Sequence, residues 1–316
     1  MKQLTKLLKF FPSSESEVFS MVEEPEVKSP LVENVIAETD CILALIGTGG
    51  CGKRLEMKFK EKENSNNYLN RVKLLSGQEY SLFPESVWNN ELAKLIFQMY
   101  QDEGFQNELF QNRQRIPFLE SINYFTDKKN SSRLLKNDFQ LNFDDFFFAS
   151  RKTTGISPFK YVNNHKKAII DTGGQRTERS KWNRLHNTYS QKLHIGFVIS
   201  LSEFDELCYE DDITPRFNEG LSNFEEWYGS PLVSEHTLYL IFSKFEVLEE
   251  KIKKGISFSR FVSEFKGDET SIESIVEFIV KKYLELDVKR RVVKYYVISA
   301  FKTEQVYQML NEIFEI

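Results

Sequence analysis

Apolar residues fall in short runs bounded by polar or glycine-rich segments, and these runs alternate with stretches of helical period. The first is Cys41 to Ile46, which ends abruptly in glycines. An apolar run without polar alternation fits a strand covered on both faces. Comparable runs follow at 167–170, 195–201, 237–242 and 295–300. Elsewhere Ile272, Ile275, Val276, Ile279, Val280 and Tyr283 recur at three- and four-residue spacing, as do Val306, Leu310, Ile313 and Phe314. That period puts one apolar stripe on a helix. Strands alternating with helices predict an α/β protein with a mostly parallel sheet and helices on both faces.

Two segments break the alternation. Residues 1–38 are polar and acidic, carry Pro12, Pro25 and Pro30, and are predicted to form a flexible leader. Residues 59–148 offer no convincing strand, and Val87, Leu92, Leu95, Ile96, Met99 and Tyr100 give a helical stripe. Within this stretch Asn64 to Asn67 and Asp127 to Ser132 read as solvated turns. The predicted organisation is an α/β domain built from residues 39–58 and 149–316, interrupted by an α-helical insertion over 59–148.

The chain has 316 residues, 41% of them hydrophobic, with a net charge of −5. Such a length suggests about two domains. The slight acidic excess argues against a nucleic-acid binder, which would carry a basic face. No apolar run approaches the ~20 residues that span a bilayer, and Lys2 stands where N-myristoylation needs glycine. Lys2, Lys6 and Lys9 with Leu4, Leu7, Leu8, Phe10 and Phe11 form a short basic amphipathic patch, open to either a membrane-surface role or a frayed terminus. Cys41, Cys51 and Cys208 are widely spaced without a CxxC pair, which fits a reducing compartment. The four histidines, His165, His186, His194 and His236, show no metal-ligand spacing and read as surface or core residues. The expected location is the cytoplasm.

Candidate chemistry begins where the first strand ends. Gly47, Thr48, Gly49, Gly50, Cys51, Gly52 and Lys53 have the G-x-x-x-x-G-K spacing of a phosphate-binding loop. Glycines let successive backbone N–H groups converge on phosphate oxygens, and the lysine reaches the β and γ phosphates. The next residue departs from the pattern. A Ser or Thr hydroxyl there would ligate Mg²⁺, whereas Arg54 is cationic and has no lone pair to offer.

A second motif follows the run at 167–170. Asp171 at a strand end, then Gly173, Gly174 and Gln175, places a carboxylate near Mg²⁺, a backbone N–H near a γ-phosphate, and an amide able to orient water. The full segment D-T-G-G-Q-R-T-E-R-S-K-W, from Asp171 to Trp182, resembles switch II of the heterotrimeric G protein α subunits. Lys152-Thr153-Thr154-Gly155 is similar to their switch I, Phe197 to Asp205 to their F-V-x-x-L-S-x-Y-D strand, Ser243 to Glu246 to their base-reading N-K-x-D, and Ile298 to Glu304 to their T-C-A-T-D-T-E. The resemblance covers roughly residues 40 to 316.

This resemblance implies a Ras-like P-loop GTPase domain with an inserted, shortened all-α domain, a GTP or GDP ligand, and Mg²⁺ held in part by Thr153. Gln175 and Arg151 become the catalytic candidates, although Arg151 lies one place nearer Lys152 than the family's arginine does. Nucleotide contacts are implied for residues 47 to 54, Thr153, Asp171, Gly173, Gly174, Ser243, Lys244, Glu246 and Ala300. Ser243 and Glu246 replace Asn and Asp, and Phe301 replaces Thr, so weakened affinity and selectivity are expected. The implied function is a GTP-binding transducer with slow or absent hydrolysis. The alternative is a pseudo-GTPase binding module fixed in one switch conformation. The resemblance implies βγ subunits and a receptor as partners and leaves the effector unnamed. Both contacts are expected to be weakened, since no long N-terminal helix is evident before Cys41 and the last helix ends near Ile316. Peripheral attachment at the plasma membrane through such partners is the alternative to a free cytoplasmic protein.

Overall fold

A computed structural model of the chain describes residues 41–53, 90–116, 119–136, 139–140, 142–148, 156–161, 167–183, 185, 193–208, 210–230 and 236–314. The chain divides into two units, Met1–Thr39 and Asp40–Ile316, and all described residues belong to the second.

Among the described residues, the first strand, β1 (Cys41–Ile46), is followed by the helices α1 (Asn90–Gln101), α2 (Glu103–Asn112), α3 (Leu119–Thr126), α4 (Lys128–Leu134) and α5 (Phe143–Phe148). Then come β2 (Ile156–Tyr161), β3 (Lys167–Thr172), the single-turn helix α6 (Arg176–Arg179), β4 (Leu193–Ser200) and α7 (Arg216–Gly229). The remainder is β5 (Thr237–Ser243), α8 (Phe245–Lys253), α9 (Ile272–Leu286), β6 (Val292–Val297) and α10 (Thr303–Phe314). The strands form one sheet in the order β2-β3-β1-β4-β5-β6, parallel throughout except that β2 runs antiparallel to β3.

Alternation along β5 shows why both faces are covered. Ile241 joins Leu43, Leu45, Ile169 and Val198 in a core closed by Val306, Met309, Leu310 and Ile313 of α10. Its neighbour Phe242 points the other way and meets the ring of Tyr283 on α9 at 5.7 Å; Tyr283 in turn meets Phe224 on α7 at 5.6 Å. Continuous apolar strands are the sequence consequence of a sheet with two dry faces. His194 is half-buried and stacks on Tyr239 at 5.9 Å, whereas His236 is a buried core residue.

The helices between β1 and β2 have their own small core, in which Tyr100, Leu109 and Ile116 pack with Ile96, Phe105, Leu119 and Ile122. Asp102 caps α2 by accepting from Phe105 N at 2.8 Å. Asp127 to Ser132 is not a turn but the start of α4. Asp127 caps it by accepting from the N–H groups of Lys129 and Asn130, and Ser131 is buried. The polar composition that suggested a turn is that of a capped helix start.

Two strand expectations also shift. The last strand ends at Val297 and not at residue 300, because Ser299 N bonds the side chain of Gln305 and leaves the ladder. Strand β2 had no signal in the apolar pattern. It carries Pro158, which is tolerated because β2 is the edge of the sheet.

Candidate functional site

Parallel strands of an open α/β sheet present their carboxyl ends to a common crevice. Here the ends of β1, β3 and β5 deliver the glycine loop, Asp171 and Ser243. The loop is bent by glycines in conformations closed to other residues: φ is +77° at Gly50 and +98° at Gly52. A side chain at Gly47 would overlap the carbonyl oxygen of Val198, and a Cβ at Gly52 would lie 2.8 Å from Ser243 Oγ.

Lys53 is buried at the foot of this loop, its Nζ donating to the carbonyl oxygens of Gly47 and Thr48 at 2.9 Å each. Cys51 beneath it is fully buried, and burial pushes its thiol pKa up despite Lys53. Ser243 Oγ donates to the Cys51 carbonyl oxygen and, at 3.2 Å, to that of Ile199. Ser243 therefore ties the loop after β5 to the glycine loop.

A buried ion pair that no single motif in the sequence announces lies against the loop. Arg216, at the start of α7, sets its Nη2 2.6 Å from Glu203 Oε1 and donates to the carbonyl oxygen of Gly49. Burial pushes the Glu203 carboxyl above its ordinary value, opposed by Arg216. Glu203 sits in a motif already noted, but Arg216 carried no signal because it belongs to no motif and its partners lie 13 and 167 residues away. Glu206 and Asp205 continue the cluster through Lys251, at 2.8 and 2.7 Å.

Switch II leads from β3 toward α7. Asp171 is buried at the strand end, and a side chain at Gly174 would overlap Lys53 Nζ, which puts the Asp171–Gly174 turn against the phosphate loop. Gln175 lies beside Gly49: a Cβ on that glycine would be 3.6 Å from Gln175 Cγ. Arg176 Nε and Arg179 Nη2 both donate to Glu219 Oε1 on α7, at 2.8 and 2.9 Å. Arg176 also pairs with Asp211 at 2.8 Å. Trp182 is buried and donates its Nε1 to Gly173 O at 2.9 Å. Arg54, Arg151 and Thr153 lie outside the described residues.

At the base-reading end Lys244 adopts a left-handed backbone, φ +59°, and its ammonium pairs with Glu120 of α3 at 2.9 Å. Ala300 is buried in the neighbouring loop after β6. Glu246 brings a buried carboxylate oxygen, Oε2, that has no hydrogen-bond partner among the described residues. Burial raises the Glu246 pKa, opposed by a hydrogen bond with Ser299.

An acceptor buried without a donor calls for one from a ligand, and the glycine loop with its anchored lysine suits a polyphosphate. These residues fit a nucleotide carrying ring N–H donors. For Mg²⁺ the described donor set is the single carboxylate of Asp171.

The sheet order and this loop define a Ras-like α/β GTPase domain. The chain belongs to the G protein α subunit family: the family's sequence model, described as "G-protein alpha subunit", matches residues 6–316. It is 28% identical over 218 residues to guanine nucleotide-binding protein subunit alpha-13 of Rattus norvegicus, covering 68% of this chain and 56% of that protein. It is 25% identical over 289 residues to the alpha-4 subunit of Dictyostelium discoideum, covering 91% and 77%. Against the alpha-17 subunit of Caenorhabditis elegans it is 25% identical over 296 residues, covering 93% and 79%. The chain thus spans little more than half the length of alpha-13. Among the described residues no helix is long and apolar enough to cross a membrane.

Proposed function

We propose that the chain is a guanine-nucleotide-binding signal transducer of the G protein α type, with lowered affinity and inefficient hydrolysis. The observation that carries this reading is Glu246, whose buried, unpartnered oxygen stands at the base-reading loop. A carboxylate there can accept from the N1–H and N2–H groups of guanine. Glutamate is a methylene longer than the family's aspartate, so its acceptors are displaced, and each misaligned charged hydrogen bond costs about 1.5–3 kcal/mol. Lys53 would meet the β and γ phosphates, Gln175 would orient an attacking water, and Arg151 is out of register for transition-state charge. A bound Mg²⁺ would supply charge neutralisation between those phosphates, with Asp171 and Thr153 as its holders and Arg54 opposing it.

We read α1 to α5 as the inserted helical domain, in contact with the GTPase domain through, among others, Glu120–Lys244 and Arg113–Asp205. The exposed Arg176 and the half-buried Lys181 of switch II are the groups offered to βγ-type partners or an effector. Single-turnover assays with GTP test the hydrolytic part. Gln175→Leu should abolish any turnover, while Arg151→Ala should change it by less than about tenfold, ~1.4 kcal/mol. A thousandfold loss from Arg151→Ala would overturn the register argument.

A second reading, a pseudo-GTPase fixed in one conformation, is favoured by Glu219. Its carboxylate pairs with Arg176 and Arg179 at 2.8 and 2.9 Å and ties switch II to α7. Equal protease sensitivity of switch II in GDP and in a GTP analogue would select it.

A further inference from the structure

We propose that Phe301 and Phe148 form an aromatic latch that holds the helical segment against the base end of the site and sets the rate at which nucleotide leaves. The rate consequence rests on the nucleotide-binding function proposed above; the latch itself does not. Phe301 follows Ala300 in the loop after β6, where the family pattern has threonine. Its ring stacks on that of Phe148, the last residue of α5, at 5.3 Å between centroids and 26° between planes. Phe148 stacks in turn on Tyr124 of α3 at 4.1 Å and 12°. Three rings therefore run without interruption from the helical segment to the base-side loop.

The stack is held from behind by one carboxylate. Asp145, with a side chain only 1% exposed, accepts from Tyr124 Oη at 3.0 Å and from Asn142 N at 2.8 Å. Arg133 grips both of its oxygens, at 2.8 Å on Oδ2. Asp145 lies one turn before Phe148 on α5, so the group that fixes Tyr124 also fixes the helix carrying Phe148. Burial, and then the bond to Asp145, push the Tyr124 hydroxyl up to about 12, so it stays a neutral donor.

Helix α3 makes a second contact with the same end of the site. Glu120 lies four residues before Tyr124, one turn along the same face, and pairs with Lys244. The one helix thus reaches both base-side loops, one by charge and one through aromatic faces. A threonine at position 301 would keep the ion pair and lose the stack. Stacked aromatic pairs add attraction beyond simple area burial, and they are insensitive to salt, unlike the exposed part of an ion pair.

The test combines amide hydrogen exchange of the nucleotide-free chain with stopped-flow release of a fluorescent GDP analogue, for the native protein, Phe301→Thr, Phe301→Tyr and Phe148→Leu. Phe301→Thr and Phe148→Leu should each raise exchange in α5, and nucleotide release, by about tenfold. Phe301→Tyr, which keeps the ring, should stay within about twofold of native. Unchanged α5 exchange in Phe301→Thr overturns the latch. Faster release with unchanged exchange also overturns it, because Phe301 would then act on the base alone. If the native chain binds no nucleotide, the proposed function fails while the exchange measurement still decides the latch.

Discussion

Arg216 and Glu203 meet at 2.6 Å beneath the phosphate loop, with side chains only 12% and 5% exposed, and the same guanidinium reaches the carbonyl oxygen of Gly49. Breaking such a pair from one side leaves a buried charge uncompensated, at a cost of about 3–5 kcal/mol. Glu203→Gln and Arg216→Met should each lower the denaturant midpoint accordingly. The double variant Glu203→Gln, Arg216→Met should be less destabilised than the sum of the two. Strict additivity in that cycle would show that the two groups act separately.

Gly52 carries φ +98° and leaves no room between the loop and Ser243 Oγ. Gly52→Ala should cost about 1–2 kcal/mol from the left-handed backbone alone. It should also push Ser243 off the Cys51 carbonyl. Denaturation of Gly52→Ala with and without Ser243→Gly separates the two effects: the second change should recover the steric part and not the backbone part. Full recovery would contradict the assigned backbone strain.

The sheet was legible from β1, β3, β4 and β5 because their two dry faces remove polar alternation, and α9 and α10 showed their stripes. Strand β2 was not, since Pro158 and an edge position give no apolar run. Helix α4 was hidden by the same polar run, Asp127 to Ser132, whose aspartate caps it. In the candidate site, the glycine loop could be found by its spacing, and the segments at 171–182 and 243–246 by their resemblance to the family's motifs. Arg216, Glu120 and Phe148 could not, because each acts through a partner distant in sequence, and only the folded chain pairs them.

If Glu246 reads the base as proposed, guanine affinity should be sensitive to pH. Its carboxyl pKa is raised above the ordinary 4.5 by burial, so it takes up its proton at a higher pH than an exposed glutamate. A protonated carboxyl cannot accept from both guanine donors, so GDP affinity should fall as pH drops through the raised pKa, while ADP affinity should not. Stability runs the opposite way: the contribution is full below 4.5 and is lost as pH rises through the folded value. Glu246→Gln should flatten both profiles, as read by titration calorimetry and thermal melts. A GDP pH profile that Glu246→Gln leaves unchanged would remove Glu246 from the base site.

Arg54 offers the metal no ligand, and its guanidinium can form charge-assisted hydrogen bonds to phosphate oxygens in place of the cation. GTP affinity of the native chain should change little on adding EDTA. Arg54→Ser should weaken metal-free binding and create a dependence on Mg²⁺. A native affinity that falls tenfold or more, at least ~1.4 kcal/mol, on removing Mg²⁺ would rule this out.

Direct titration of the purified chain with labelled GDP, a GTP analogue and ADP is the most direct test of the account. The shifted acceptors of Glu246 and the short side chain of Ser243 predict that guanine nucleotides bind weakly and are preferred over ADP by less than about a hundredfold, ~2.7 kcal/mol. Nanomolar GDP binding with complete rejection of ADP would contradict the weakened site, and no binding of any nucleotide would contradict the site itself.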